Sequence, residues 1–149
     1  MSAMKLTDAM VENLKNDSFD FYVLNFANPD MVGHTGNFDA VVEAIEEVDR
    51  CLSAINEIVA QKKGCLIVTA DHGNAEVMYD ERSSQPHTAH TTNDVPFIFA
   101  SEDHKSAELA SGGGLSDIAP TILGILGIDV PLEMTGQHDT GLICCFAPD

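Results

Sequence analysis

The chain has 149 residues, 44% of them hydrophobic, and sets 24 Asp and Glu against seven Lys and Arg for a formal net charge of −17. That length fits one domain with a core of its own, and the acidic balance argues against binding nucleic acid or an anionic membrane. No apolar run approaches the ~20 residues of a membrane span, and no basic stretch with an apolar core follows the N-terminus, so a cytoplasmic protein without a signal peptide is expected.

Residues 1–16 predict a short amphipathic helix with Met4, Leu6, Met10, Val11 and Leu14 as its apolar positions. Phe19 to Ala27 is nearly continuous in apolar character, as in a strand covered on both faces. The run Asn28-Pro29-Asp30-Met31-Val32-Gly33-His34-Thr35-Gly36 follows, and its Gly and Pro content predicts a turn. Phe38, Val41, Ile45, Val48, Leu52, Ile55 and Val59 then form one apolar stripe of a long helix. Asn37 is its expected N-cap, Lys62 and Lys63 oppose the C-terminal dipole, and Gly64 is the expected left-handed stop. Cys65 to Thr69 is a second strand. Strand, helix, strand predicts a βαβ unit with parallel strands. Glu76 to Gln85 suggests a hairpin turning near Glu81 to Ser84, and Val95 to Ala100 a third strand with Pro96 near an edge. Gly112-Gly113-Gly114 is a turn, Ser116 the expected cap of a helix through Leu126 with Pro120 in its first turn, and Gly127 the end of it. Cys51 and Cys65 are expected as reduced core residues, Cys144 and Cys145 as a free tail.

In open parallel sheets, ligands bind beyond the carboxyl ends of the strands. Asp30 and His34 follow the first predicted strand, Asp71 and His72 end the second, and His87 and His90 precede the third. Taken singly, His34 could stabilise a turn, Asp71 could cap one, and His87 and His90 could be surface residues. Their joint placement favours a metal centre. Mixed carboxylate and imidazole donors suit Mn²⁺, Zn²⁺, Co²⁺ or Fe²⁺ better than Mg²⁺. Adjacent Asp71 and His72 can face two ions about 4 Å apart, an arrangement suited to in-line phosphoryl displacement. His104 and His138 have no partner nearby in sequence and are expected in solvent. Arg50 and Arg82 are the only arginines, few for a phosphate site. Bound metals and another part of the molecule are expected to supply the missing positive charge.

Asn25 to Gly36, Thr69-Ala70-Asp71-His72-Gly73-Asn74-Ala75-Glu76 and His87-Thr88-Ala89-His90-Thr91-Thr92-Asn93 resemble the cofactor-independent phosphoglycerate mutase family of the alkaline phosphatase superfamily. Thr7-Asp8, Leu115 to Thr121 and Glu133 to Gly136 are similar too, and the likeness weakens after Gln137. The resemblance implies interconversion of 2- and 3-phosphoglycerate in glycolysis through a phosphoserine, with two Mn²⁺ (or Co²⁺) ions. It implies Asp30, His34 and His90 as ligands of one ion and Asp71 and His72 as ligands of the other, with His87 ranked behind His90. The implied fold is α/β, alkaline-phosphatase-like, with a mostly parallel sheet flanked by helices. Residues 1–149 would form the C-terminal portion of its metal-binding domain. The family's N-terminal strands, inserted transferase domain, nucleophilic serine and a further Asp ligand have no counterpart. Ser83, Ser84 and Ser116 lie in no matching motif, so no catalytic residue is assigned. Met1 falls where the family has internal sequence, which suggests a cut; a missing N-terminal polypeptide is an expected partner, and the sheet, lacking its N-terminal strands, is expected to leave an unpaired apolar edge. The alternatives are a non-catalytic metal-binding fragment, half of a split enzyme, or a related phosphatase or phosphopentomutase.

Overall fold

A computed structural model describes residues 2–109 and 111–136. The chain divides into two compact units, residues 1–102 and 103–149. The first contains α1 (Ala3–Lys15), α2 (Asn28–Gly33), α3 (Phe38–Gln61), β1 (Cys65–Thr69), β2 (Tyr79–Asp80), β3 (Gln85–Pro86) and β4 (Phe97–Ser101). The second contains a 3₁₀ turn (Leu115–Asp117) leading into α4 (Ile118–Ile125).

The helices begin and end for local reasons. Ser2 caps α1 by accepting from the Lys5 N–H at 3.3 Å, and Asn37 caps α3 by accepting from the Ala40 N–H at 3.1 Å, which ties up donors the first turn leaves free. The stop of α3 differs from the expected one. Lys63 takes the left-handed conformation, with φ +57°, while the Gly64 N–H bonds back to the Val59 carbonyl at 2.9 Å. A Cβ at Gly64 would lie 3.2 Å from Val59 Cγ1, so the glycine leaves that side chain its room. Lys62 Nζ crosses to α1, donating to Asp17 at 2.6 Å and to the Lys15 carbonyl at 3.3 Å. Its charge thereby lies at the negative end of the α1 dipole.

The core of the first unit consists of Ala3, Val41, Cys51, Ile55 and Val59, with Thr7 buried beside them. α1 packs on α3 with the small Ala3 and Thr7 buried, while Leu6 is exposed and Met4, about half exposed, meets Cys51 through its sulfur at 3.8 Å. Close helix approach favours Ala and Thr at the contact. Thr7 satisfies its hydroxyl within α1 by donating to the Ala3 carbonyl at 3.0 Å. On α3 the predicted stripe is buried at Val41, Ile55 and Val59, and Cys51 is buried as expected, while Phe38 and Ile45 of the stripe are exposed. Neither Cys51 nor half-buried Cys65 is joined in a disulfide. Cys144 and Cys145 lie outside the described residues.

β1 pairs with β4 in register from Cys65 opposite Ser101 to Thr69 opposite Phe97, and the pairing is antiparallel. The α/β class stands, but the described ladders are antiparallel, in place of the expected mostly parallel sheet. Parallel neighbours need a crossover, usually a helix. Between β1 and β4 the chain makes a loop and the β2–β3 hairpin, so it re-enters beside the end at which it left β1 and runs back. The hairpin turn is held by Asp80, which accepts from the Arg82 N–H at 2.9 Å and the Ser83 hydroxyl at 2.8 Å.

No strand forms over 19–27. Apolar composition favours a pleated surface but does not supply a neighbour to complete the ladder. Phe19 and Val23 are 67% and 80% exposed, so apolar surface is open along this segment. In the second unit Ser116 is not the cap. Asp117 reaches back instead to accept from the Gly114 N–H at 2.7 Å, and Gly127, at φ +67°, terminates α4. Among the described residues no helix is long and apolar enough to cross a membrane.

Candidate metal centre

The segment carrying Asp30 and His34 is not a turn but the helix α2, with Pro29 in its first turn. Proline is tolerated there because its missing N–H would have had no intrahelical partner. Gly33 and the left-handed Gly36, at φ +66°, bring the helix to its end. Helical geometry places residues four apart on one face, so Asp30 and the C-cap His34 look the same way. His34 Nε2 lies 3.3 Å from Asp30 Oδ1.

His90 arrives from the loop after the hairpin. Thr91 bridges to Gly73, its N–H donating to the Gly73 carbonyl at 2.8 Å. Glu76 fastens the same loop. Its carboxylate accepts from the Thr91 hydroxyl, from Asn93 Nδ2 at 3.0 Å and from the Asn74 N–H at 2.7 Å. His90 Nε2 is thereby set 3.1 Å from Asp30 Oδ1 and 3.2 Å from His34 Nε2.

Asp30, His34 and His90 thus form a three-donor group, joined from α2 and the loop before β4. Three donors about 2.1 Å from one small divalent ion lie roughly 3.0–3.4 Å apart, which the three observed edges match. The tautomer of His34 fits as well. Its Nδ1 is 2.7 Å from the Thr88 carbonyl, which can only accept, so the proton resides on Nδ1 and Nε2 keeps its lone pair. Asp30 is held ionised. Its pKa is lowered, chiefly by the hydrogen bond from Asn74 Nδ2 at 2.7 Å; partial burial opposes this, and the imidazoles of His34, His90 and His72 add to it.

The second predicted pair sits differently. Asp71 and His72 follow β1, but the Asp71 side chain is 90% exposed and 3.7 Å from His72 Nε2. His72 stacks on His90 with ring centroids 3.8 Å apart, which puts the pair beside the three-donor group. Among the described residues they are not joined by a third donor. His87 stays out of the cluster; its N–H bonds to the Met78 carbonyl at 3.0 Å and its Nε2 is buried without a partner. His104 is half-buried rather than in solvent, and His138 lies outside the described residues. Sequence reasoning missed Asn74, Glu76 and Thr88. All lie inside the quoted motifs, and the available signal was a polar residue within a few positions of each candidate ligand.

Glu76 gives a pH-dependent expectation. Burial raises its pKa, but the donors from Thr91, its own N–H, Asn93 and Asn74 together outweigh it, and the pKa falls below the ordinary 4.5. A lowered carboxyl pKa stabilises the fold above the unfolded-state value and ceases to do so as pH falls through the folded-state value. The melting-temperature gap between the unsubstituted chain and Glu76→Gln should therefore be full at neutral pH and close in acid. A gap that persists at pH 3 would remove the ionised carboxylate as its cause.

The sequence profile of the Metalloenzyme superfamily matches residues 1–130. The chain is 53% identical over 136 residues to the 2,3-bisphosphoglycerate-independent phosphoglycerate mutase of Clostridium perfringens, covering 91% of this chain and 27% of that relative. It is 52% identical over 137 residues to that of Clostridioides difficile, covering 92% of this chain and 27% of that relative. A crystal structure of Leishmania mexicana phosphoglycerate mutase at low cobalt concentration superposes with a TM-score of 0.81 at 29% identity, covering 91% of this chain and 27% of that one. The chain thus spans about a quarter of the length of the relatives it matches, 27% in each of these three.

Proposed function

Because the chain belongs to the Metalloenzyme superfamily, we propose that it forms the C-terminal, metal-binding portion of a phosphoglycerate mutase that interconverts 2- and 3-phosphoglycerate through a phosphoserine. The observation that carries this reading is the convergence of Asp30, His34 and His90 in a chain 53% identical to an enzyme of that name. These three residues would hold one divalent ion, and Asp71 and His72 would give two ligands to a second. Mn²⁺ is the proposed metal and Co²⁺ the alternative, in line with the donor set. Bound there, the ions would lower the pKa of a serine hydroxyl and neutralise charge on the phosphoryl group.

The chain's own residues prepare that site. The Thr88 carbonyl keeps the His34 proton on Nδ1, Asn74 keeps Asp30 ionised, and Glu76 fixes the loop bearing His90. The serine, the further Asp ligand and the cations that grip phosphoglycerate are assigned to a polypeptide region outside these residues. A glycolytic role in the cytoplasm accords with Cys51 and Cys65 standing outside any disulfide.

A second reading, a metal-binding polypeptide without turnover of its own, is favoured by the Asp71–His72 pair, which lacks a third donor among the described residues. One experiment separates them. The purified chain with Mn²⁺ should convert no 3-phosphoglycerate. Adding the rest of the Clostridium perfringens relative, without the matched region, should restore conversion. Turnover by the chain alone would overturn the division of labour, and an inactive mixture with Mn²⁺ bound would leave the non-catalytic reading.

A further inference from the structure

Asn74 is 5% exposed, one of the few buried polar side chains described. Its amide does two unequal things. Nδ2 donates to Asp30 Oδ1 at 2.7 Å and reaches the Asp30 backbone carbonyl at 3.4 Å. Oδ1 is buried with no hydrogen-bond partner. The amide cannot turn over to satisfy that oxygen, because a carboxylate only accepts, and the turned amide would press oxygen against oxygen. A buried acceptor left unmade is unfavourable, so the placement favours the carboxylate at the expense of the amide.

The opposite wall shows the same fit. Gly33 lies on α2, three residues after Asp30, and a Cβ there would sit 2.9 Å from Asn74 Cγ. The helix bearing the carboxylate therefore rests directly on the Asn74 amide, and Gly33 leaves the room. Asp30 Oδ1, fixed from behind, faces His34 Nε2 and His90 Nε2 at 3.3 and 3.1 Å. We infer that Asn74 is a positioning residue of the centre, holding Asp30 in its ligating rotamer from a niche that Gly33 keeps open. Asn74 does not itself ligate. The inference rests on the metal-binding reading above.

The test uses the full 149-residue chain and two routes to the same disturbance. Asn74→Ala removes the donor, and Gly33→Ala displaces it while leaving Asn74 in place. Residues that orient a ligand typically change affinity by about 10–100-fold when lost. Each variant should weaken Mn²⁺ binding by that factor in calorimetry. Each should also alter the visible d–d absorption of the chain saturated with Co²⁺, a signature that a purely structural role would leave alone. If Asn74→Ala loses its cooperative melt, Gly33→Ala decides. Unchanged Mn²⁺ affinity and Co²⁺ spectrum in a folded variant would overturn the inference, and so would loss of the melt in both, which would make Asn74 a determinant of the fold. Failure of the unsubstituted chain to bind either ion would instead sink the metal reading beneath it.

Discussion

Asp30→Ala is expected to remove tight Mn²⁺ binding by this chain, with a loss of affinity of at least about 100-fold. Outer partners of a ligand already reach that value, and Asp30 is the ligand itself. Its Oδ1 is the anionic corner of the three-donor group, 3.3 Å from His34 Nε2 and 3.1 Å from His90 Nε2. Without it two imidazole nitrogens remain 3.2 Å apart, with no carboxylate to offset the charge of a divalent ion. Asp71→Ala gives the contrast. That side chain is 90% exposed and outside the group, so its removal should change the affinity of the isolated chain by less than about threefold, the scale of a screened surface charge. Calorimetry on both variants, with the metal-to-protein ratio read from the same titration, is the check. The expected ratio for the unsubstituted chain is near one. A ratio of two, or equal losses from the two substitutions, would show that Asp71 and His72 already complete a second site.

Ile55→Ala should be the most damaging conservative change to the fold. Ile55 is 5% exposed on α3, between Cys51 and Val59 on the buried line. Truncating a buried Ile to Ala removes its transfer free energy and leaves a cavity, typically at a cost of about 2–5 kcal/mol. Small domains have only about 5–15 kcal/mol in total, so a large share of the stability goes. Urea unfolding should show a lower midpoint with little change in slope. Because the metal would bind the folded chain alone, Mn²⁺ at about 100 times Kd should return about 2.7 kcal/mol, and the same increment should appear in the unsubstituted chain. An increment that vanishes in Ile55→Ala would mean that the core transmits its loss to the centre through the packing of α2 on α3.

The candidate residues were legible because metal chemistry restricts residue type. Few side chains ligate a divalent ion, and Asp30, His34 and His90 lie in short polar stretches next to apolar segments, where periodicity can be read. The local geometry between them was not legible. Pro29 and Gly33 read as turn residues, yet the first turn of a helix accepts proline, and Gly33 serves the packing of Asn74. The stripe of α3 was legible, with Val41, Ile55 and Val59 buried as its periodicity predicts, but on α1 hydropathy does not rank Ala3 and Thr7 above Met4 and Leu6, and packing against α3 buries the smaller pair.

By itself, then, the sequence determined the chemistry available: an acidic chain, α3 with its Asn37 cap, the β1 segment, the hairpin, and the ligand types with their order along the chain. These are local properties, set by side-chain pKa, hydropathy and backbone propensity. Tertiary structure decided which donors meet. Antiparallel pairing of β1 with β4, the Thr91–Gly73 bridge and the Glu76 staple bring His90 across to α2, while Asp71 stays outside the three-donor group. The distance between donors from separate segments is fixed by long-range hydrogen bonds and packing, which no local pattern encodes.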